Sequence, residues 1–152
     1  MRKSGNRKEY PRLYKIWQGI RQRCNNPKDK DYSDYGGRGI QVCEEWNFSS
    51  TAFIEWSLQN GYNPKLTIDR IDTNGHYNPD NCRWVSWTQQ ARNKRTEKTN
   101  KLGVKGVHYD RGKYRAIIYV NNKRIDLGRY IDVEDAKKAR KRGEIEYWGN
   151  SA

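Results

Sequence analysis

Cysteine, proline, histidine and methionine are all scarce in this chain of 152 residues: three, four, two and one respectively. The cysteines, Cys24, Cys43 and Cys82, are odd in number and widely spaced, which argues against a disulfide framework and for a reducing compartment. No Cys-x-x-Cys spacing supports a structural zinc held by the three thiolates and His76, so the expected role is that of small buried hydrophobes. Long apolar runs are missing too. None approaches the roughly 18 residues that a membrane span needs. The basic start, Met1 to Arg12, is followed by no apolar stretch of the signal-peptide kind, so the chain is expected to be cytoplasmic and not secreted. Hydrophobic residues make up only 34% of the sequence, which excludes one large core. Six Trp and eleven Tyr partly compensate, because each ring buries a large area. Thin cores of this kind suit two small modules.

Acid is the other deficit: 18 Asp and Glu face 31 Lys and Arg, for a formal charge of +13. The excess is patchy. Residues 1–30 carry ten bases against two acids, whereas residues 31–70 carry three against six. Base dominates again over 71–102, with six against three, and over 103–152, with twelve against seven. Basic patches interleaved with aromatics are the electrostatic footprint of a polyanion binder, and nucleic acid is the expected partner.

Residues 1–11 read as a disordered basic arm. Leu13, Ile16, Trp17, Ile20 and Cys24 then repeat at helical spacing, up to the stop at Asn25-Asn26-Pro27. Residues 28–39 read as a loop, and Ile40 to Val42 as a short strand. Ser49 or Ser50 caps a second helix bearing Phe53, Ile54, Trp56 and Leu58, ended by Gly61. Leu66 to Ile71 and Cys82 to Val85 read as strands around an Asn-, Gly- and Pro-rich loop. Ser86-x-x-Gln89 opens a helix to about Arg95. Trp17, Trp46, Trp56, Trp84 and Trp87 are expected in the core. Residues 96–102 read as a polar linker. Three strands follow, at 104–110, 113–120 and 123–130, with turns at Arg111-Gly112 and Asn121-Asn122. Asp132 caps a last helix with Val133, Ala136, Ala139 and Gly143 along one side. The fold class is therefore α+β: helices and a small ββα module, then a three-stranded antiparallel sheet packed on one helix.

Alternation in the second module puts Tyr114, Ala116, Ile118 and Val120 on one face of the middle strand and Arg115, Ile117 and Tyr119 on the other. The open face would present Arg115, Tyr119, Arg124 and Arg129, with Lys113 and His108 beside them. Gly103-Val104, Gly106-Val107, Lys113-Tyr114-Arg115-Ala116, Asn122-Lys123-Arg124-Ile125-x-Leu127-Gly128 and Tyr147-Trp148-Gly149 resemble the apetala-type (ethylene-response-factor-like) DNA-binding domain over residues 103–149. That resemblance implies a sheet lying in the major groove with a helix behind it.

Asp69-Arg70-Ile71-Asp72, Asn81-Cys82-Arg83-Trp84-Val85-Ser86, Gln89-Gln90 and Asn93-Lys94-Arg95 resemble the phage and mobile-element branch of HNH endonucleases. The match is tight over residues 66–95, within a module spanning 12–95. The resemblance implies a catalytic group of Asp69, Arg70, Asn81, Gln90 and Asn93, with a divalent metal, Mg or Mn, held by Asp69 and Gln90. Asn93 is the alternative amide ligand, and Asn81 braces the loop. Arg92, Lys94 and Arg95 add cations for DNA. Arg70 stands where the family places its general base, beside Asp69 and expected to face the helix that carries Gln90. Arginine stays protonated, so it cannot deprotonate water, but it binds phosphate well. His76 is the one imidazole nearby. Two functions stay open: a metal-dependent, site-directed DNA endonuclease, in a bacterial or phage-infected cell, and a non-catalytic DNA-binding regulator or interaction protein on a degenerate HNH fold. No small-molecule substrate and no membrane are implied.

Overall fold

The computed structural model describes residues 5–149, an α+β chain that divides into two compact units, Met1–Lys94 and Arg95–Ala152. In the first unit, helix α1 (Gly5–Glu9) leads into α2 (Pro11–Asn25). Pro11 opens α2, where its missing N–H would have had no partner. The apolar spacing of α2 buries Leu13, Trp17, Ile20 and Cys24. Asn26, extended before Pro27, ends it. Two 3-10 turns, Tyr32–Asp34 and Gly36–Arg38, precede α3 (Glu44–Phe48) and α4 (Ser50–Gln59). The Ser49 hydroxyl caps α4 by accepting from the Ala52 N–H at 3.2 Å.

Strands β1 (Thr67–Arg70) and β2 (Cys82–Val85) form an antiparallel ribbon, and Ser86 caps α5 (Trp87–Asn93). The register sets Asp69 opposite Arg83 and Arg70 opposite Cys82. Aromatic contacts tie the helices to the ribbon. Trp46 lies 4.6 Å from Trp56, which lies 6.4 Å from Trp84, and Tyr62 packs edge-on to Trp84 at 4.9 Å. The Trp17 Nε1 donates to the Trp46 carbonyl at 2.6 Å, so the indole is buried with its donor satisfied.

Four expectations change here. The arm read over residues 1–11 is helical from Gly5, and Asn6 Nδ2 donates to Thr51 Oγ1 at 2.7 Å; residues 1–4 lie outside the described residues. Local polarity hid a helix that a distant hydroxyl anchors. The loop read over 28–39 contains the two 3-10 turns. The strand expected at Ile40–Val42 is one parallel bridge, in which Tyr77 donates to the Gln41 carbonyl and Cys43 donates to the Tyr77 carbonyl. Trp87 is not core but 64% exposed, because the first residue of α5 faces away from the ribbon.

In the second unit, β3 (Val107–Asp110), β4 (Lys113–Val120) and β5 (Lys123–Tyr130) form an antiparallel sheet in that order, backed by α6 (Val133–Trp148). Both hairpin turns have positive φ at two successive residues, Arg111-Gly112 and Asn121-Asn122, which matches the twist of the strands. Val107, Ala116, Ile118, Ala136 and Ala139 are buried between sheet and helix. A bulge between Ala116 and Ile117 in the β4–β5 register leaves Leu127 without a direct partner. The buried Arg140 donates to the Ile117 carbonyl and, at 2.8 Å, to Glu144 Oε1. The segment read as a linker, 96–102, is folded into turns. Asn100 Nδ2 donates to the Val104 carbonyl, and Leu102 packs on the core of this unit. Among the described residues no helix is long and apolar enough to cross a membrane.

Candidate functional site

The ribbon of the first unit alternates, so neighbouring side chains of β1 point to opposite faces. Asp69, 7% exposed, lies on the face covered by α5. Its Oδ2 accepts from Arg83 Nε at 3.2 Å and from Asn93 Nδ2 at 3.0 Å. Burial pushes the carboxyl above its ordinary value, and the bonds from Asn93 and Arg83 oppose that rise. Asn93 Nδ2 also donates to the Arg70 carbonyl at 2.6 Å. Gln90 Nε2 instead donates to the Ile68 carbonyl at 3.0 Å, fastening α5 to β1. Of the two amides on α5, Asn93 is the one beside Asp69. Asn81 closes the loop between the strands: Oδ1 accepts from the Asp72 N–H at 2.9 Å, and Nδ2 donates to the carbonyls of Asp72 and His76 at 3.1 and 2.9 Å.

Arg70 does not face α5. It occupies the other face of β1, 9% exposed, where Nη1 donates to the Gly75 carbonyl at 2.8 Å and the guanidinium lies 5.1 Å from the Tyr35 ring and 4.9 Å from the Tyr77 ring. Strand pleating is the cause: a residue next to Asp69 cannot share its face. His76 is spent differently again, since its Nδ1 accepts from the Gln41 N–H at 3.1 Å.

A hard divalent cation wants several oxygen donors. Among the described residues no three His, Cys, Asp or Glu side chains gather at one point. Asp69 supplies one carboxylate, already paired with the Arg83 cation, and the Asn93 and Gln90 amides turn N–H groups to protein oxygens. As arranged, Asp69 and Gln90 do not fit such an ion.

Strand pairing in the second unit gathers a different set. His108 stands opposite Arg115, and Arg115 opposite Arg129; Asp110 pairs with Lys113, Tyr119 with Arg124 and Ile117 with Asp126. All lie on the sheet face away from α6, because Val107, Ala116 and Ile118 fill the other. The bulge lets Asp126 and Arg129 share this face with two residues between them. Arg115 donates through Nε at 2.8 Å, and through Nη2, to Asp126 Oδ2. Arg129 pairs with Asp110 at 3.2 Å. The Gly128 N–H and then Arg115 hold the Asp126 carboxyl below its ordinary value. Arg124 and Tyr119 are exposed, and Arg124 makes no ion pair among the described residues. Arg92 lies on α5 and Lys94 at its C-terminal cap, in the first unit, while Arg95 begins the second.

Sequence reasoning missed Arg83, Asp110 and, although it put Asp126 on the face of Arg124, the pairing of Asp126 with Arg115. The signal for Arg83 was its place in the strand facing Asp69. For Asp126 it was an acid alternating with Arg124 on a basic face. Compared with protein families, with curated proteins and with solved structures, the chain matches none.

Proposed function

We propose that this chain is a double-stranded DNA-binding protein that reads a major groove with the open face of its three-stranded sheet. The observation that carries this is the alignment of Arg115, Arg124, Arg129, Lys113, Tyr119 and His108 on one face by strand register. A sheet of this size fits the groove, and guanidinium forks bind guanine edges and phosphates bidentately. Asp126 and Asp110 hold Arg115 and Arg129 in fixed poses, and Arg124 offers its whole fork. The apetala-type and HNH-type resemblances support the same reading, of a protein acting inside a bacterial or phage-infected cell. The test is duplex binding by the full chain against salt. Neutralising six to ten phosphates would weaken binding by roughly a thousandfold or more between 50 and 200 mM salt. A flat response overturns the proposal.

A second reading, HNH-type phosphodiester cleavage, is favoured by one observation: buried Asp69 and Asn93 touch beside a loop braced by Asn81. It requires Asp69 to leave Arg83, and it gives Arg70 no part as a base. Plasmid nicking with magnesium or manganese, abolished in Asp69→Ala, would establish it. Tight binding without nicking leaves the non-catalytic binder.

A further inference from the structure

Arg70 is not the only cation on its face of the ribbon. Arg23, in the last turn of α2, lies 4.8 Å from the Tyr35 ring and 5.5 Å from the Tyr77 ring, the same two rings that flank Arg70. Those rings stack with centroids 6.3 Å apart. Two guanidiniums therefore share one aromatic wall. Among the described residues no carboxylate pairs with either. The Arg23 Nε is buried and, among the described residues, has no hydrogen-bond partner. Asp69, on the opposite face of β1, is a carboxylate whose field reaches Arg70, but it is already paired with Arg83, and the thiols and hydroxyl beside the rings cannot balance the charge. Burial pushes the Cys24 thiol up to about 11 and the Cys82 thiol up to about 12, and raises the Tyr77 hydroxyl as well, so all stay neutral at pH 7. Cation–π contact offsets part of the desolvation of a guanidinium but brings no negative charge. Arg70, buried without a paired carboxylate, is costly to hold, and the half-buried Arg23 on the same wall adds repulsion. The arrangement is fixed on three sides. Gly75 holds Arg70 by its carbonyl, the Tyr77 backbone is bridged to Gln41 and Cys43, and Gly36 presses so close to the Cys24 carbonyl that a Cβ there would lie 2.1 Å away.

We infer that Arg23 and Arg70 form a receptor for a phosphate oxyanion, walled by Tyr35 and Tyr77, and that the first unit uses it to hold a DNA backbone phosphate. The phosphate supplies the missing negative charge and accepts from the Arg23 guanidinium. Guanidinium pairs suit phosphate because each fork donates two parallel N–H groups. The site rests on the DNA-binding reading only for the source of its phosphate. It is a separate contact from the sheet face of the second unit, and it gives Arg70 a role in binding that needs no proton transfer.

The test uses the full chain and two probes. Calorimetric titration with inorganic phosphate, chloride balancing the ionic strength, is expected to saturate in the natural protein, to weaken in Arg23→Lys and to vanish in Arg23→Gln. Duplex binding against salt is expected to lose about one unit of slope in Arg23→Gln, the signature of one phosphate contact. No saturable phosphate binding by the natural protein overturns the site, whether or not the Gln variant folds. Equal phosphate binding in Arg23→Gln, with circular dichroism unchanged, overturns it too. Phosphate binding lost with the DNA slope intact overturns the DNA source and leaves a site for free phosphate. A chain that binds phosphate through Arg23 but no duplex refutes the DNA-binding reading and keeps the site. A chain that binds duplex steeply but no phosphate does the reverse.

Discussion

Removing the Arg115 side chain uncovers Asp126, and the magnitude of that second effect can be worked out. The pair is partly exposed, 25% for Arg115 and 44% for Asp126, so its worth to stability is at most about 1 kcal/mol. Its worth to DNA binding is larger. Arg115→Ala loses a guanidinium contact of about 1–3 kcal/mol. It also leaves a carboxylate facing the phosphates, and Asp126 stays ionised because the Gly128 N–H still holds it. For a phosphate about 7 Å away, the repulsion is about 0.6 kcal/mol in bulk water and about 2.4 kcal/mol at an effective dielectric constant near 20. Arg115→Ala together with Asp126→Ala removes the repulsion but not the lost contact. The double variant is therefore expected to bind duplex roughly 3- to 50-fold more tightly than Arg115→Ala, while staying weaker than the natural protein. Fluorescence anisotropy with a duplex selected from a random pool measures all three. A double variant that binds no better than the single one would refute the sheet-face assignment, because an acid far from DNA has nothing to repel.

Arg124→Ala is expected to cost about 1–3 kcal/mol of duplex binding and to relax preference locally, since its fork makes no ion pair among the described residues; unchanged selection from a random pool would count against it. Asp69 has a raised folded-state value, so the folded chain takes up its proton before the unfolded one, and its contribution to stability grows as pH falls towards the ordinary carboxylate range. The melting temperature of the natural protein minus that of Asp69→Asn should accordingly rise between pH 7 and pH 4, and a fall would show that the ion pair with Arg83 outweighs burial. Cys43, half-buried, is expected to react with a thiol reagent well before Cys24 and Cys82, whose thiols are buried; equal rates for all three would mean that the core opens readily. Gly106 has φ +75° and its Cβ would lie 2.4 Å from the Ile117 carbonyl, so Gly106→Ala should destabilise the second unit by at least about 2 kcal/mol, read from thermal unfolding of that unit.

Elements with a strong local signal are encoded in the order of residues alone. The period of Leu13, Trp17, Ile20 and Cys24 dictates α2, and hydroxyl or carboxylate caps at Ser49, Ser86 and Asp132 open three helices, each cap accepting a backbone N–H. In the hairpin turns of the second unit Gly112, Asn121 and Asn122 tolerate positive φ and only Arg111 adopts it against its preference, and the period of two then assigns Arg115, Tyr119 and Arg124 to one face. Tertiary structure alone decided the rest, for physical reasons of two kinds. Helix α1 is a polar segment held by Thr51 Oγ1, a partner that no local pattern encodes, and the turns at 96–102 belong to the folded second unit because Leu102 packs on its core. The sites depend on partners distant in sequence. Pleating sends Asp69 and Arg70 to opposite faces, where Asn93, not Gln90, meets the carboxylate, and Arg70 joins Arg23, 47 positions earlier in the chain, against Tyr35 and Tyr77. A motif fixes which side chains are present, but the fold fixes which of them share a space, and the charge balance of a site belongs to that shared space.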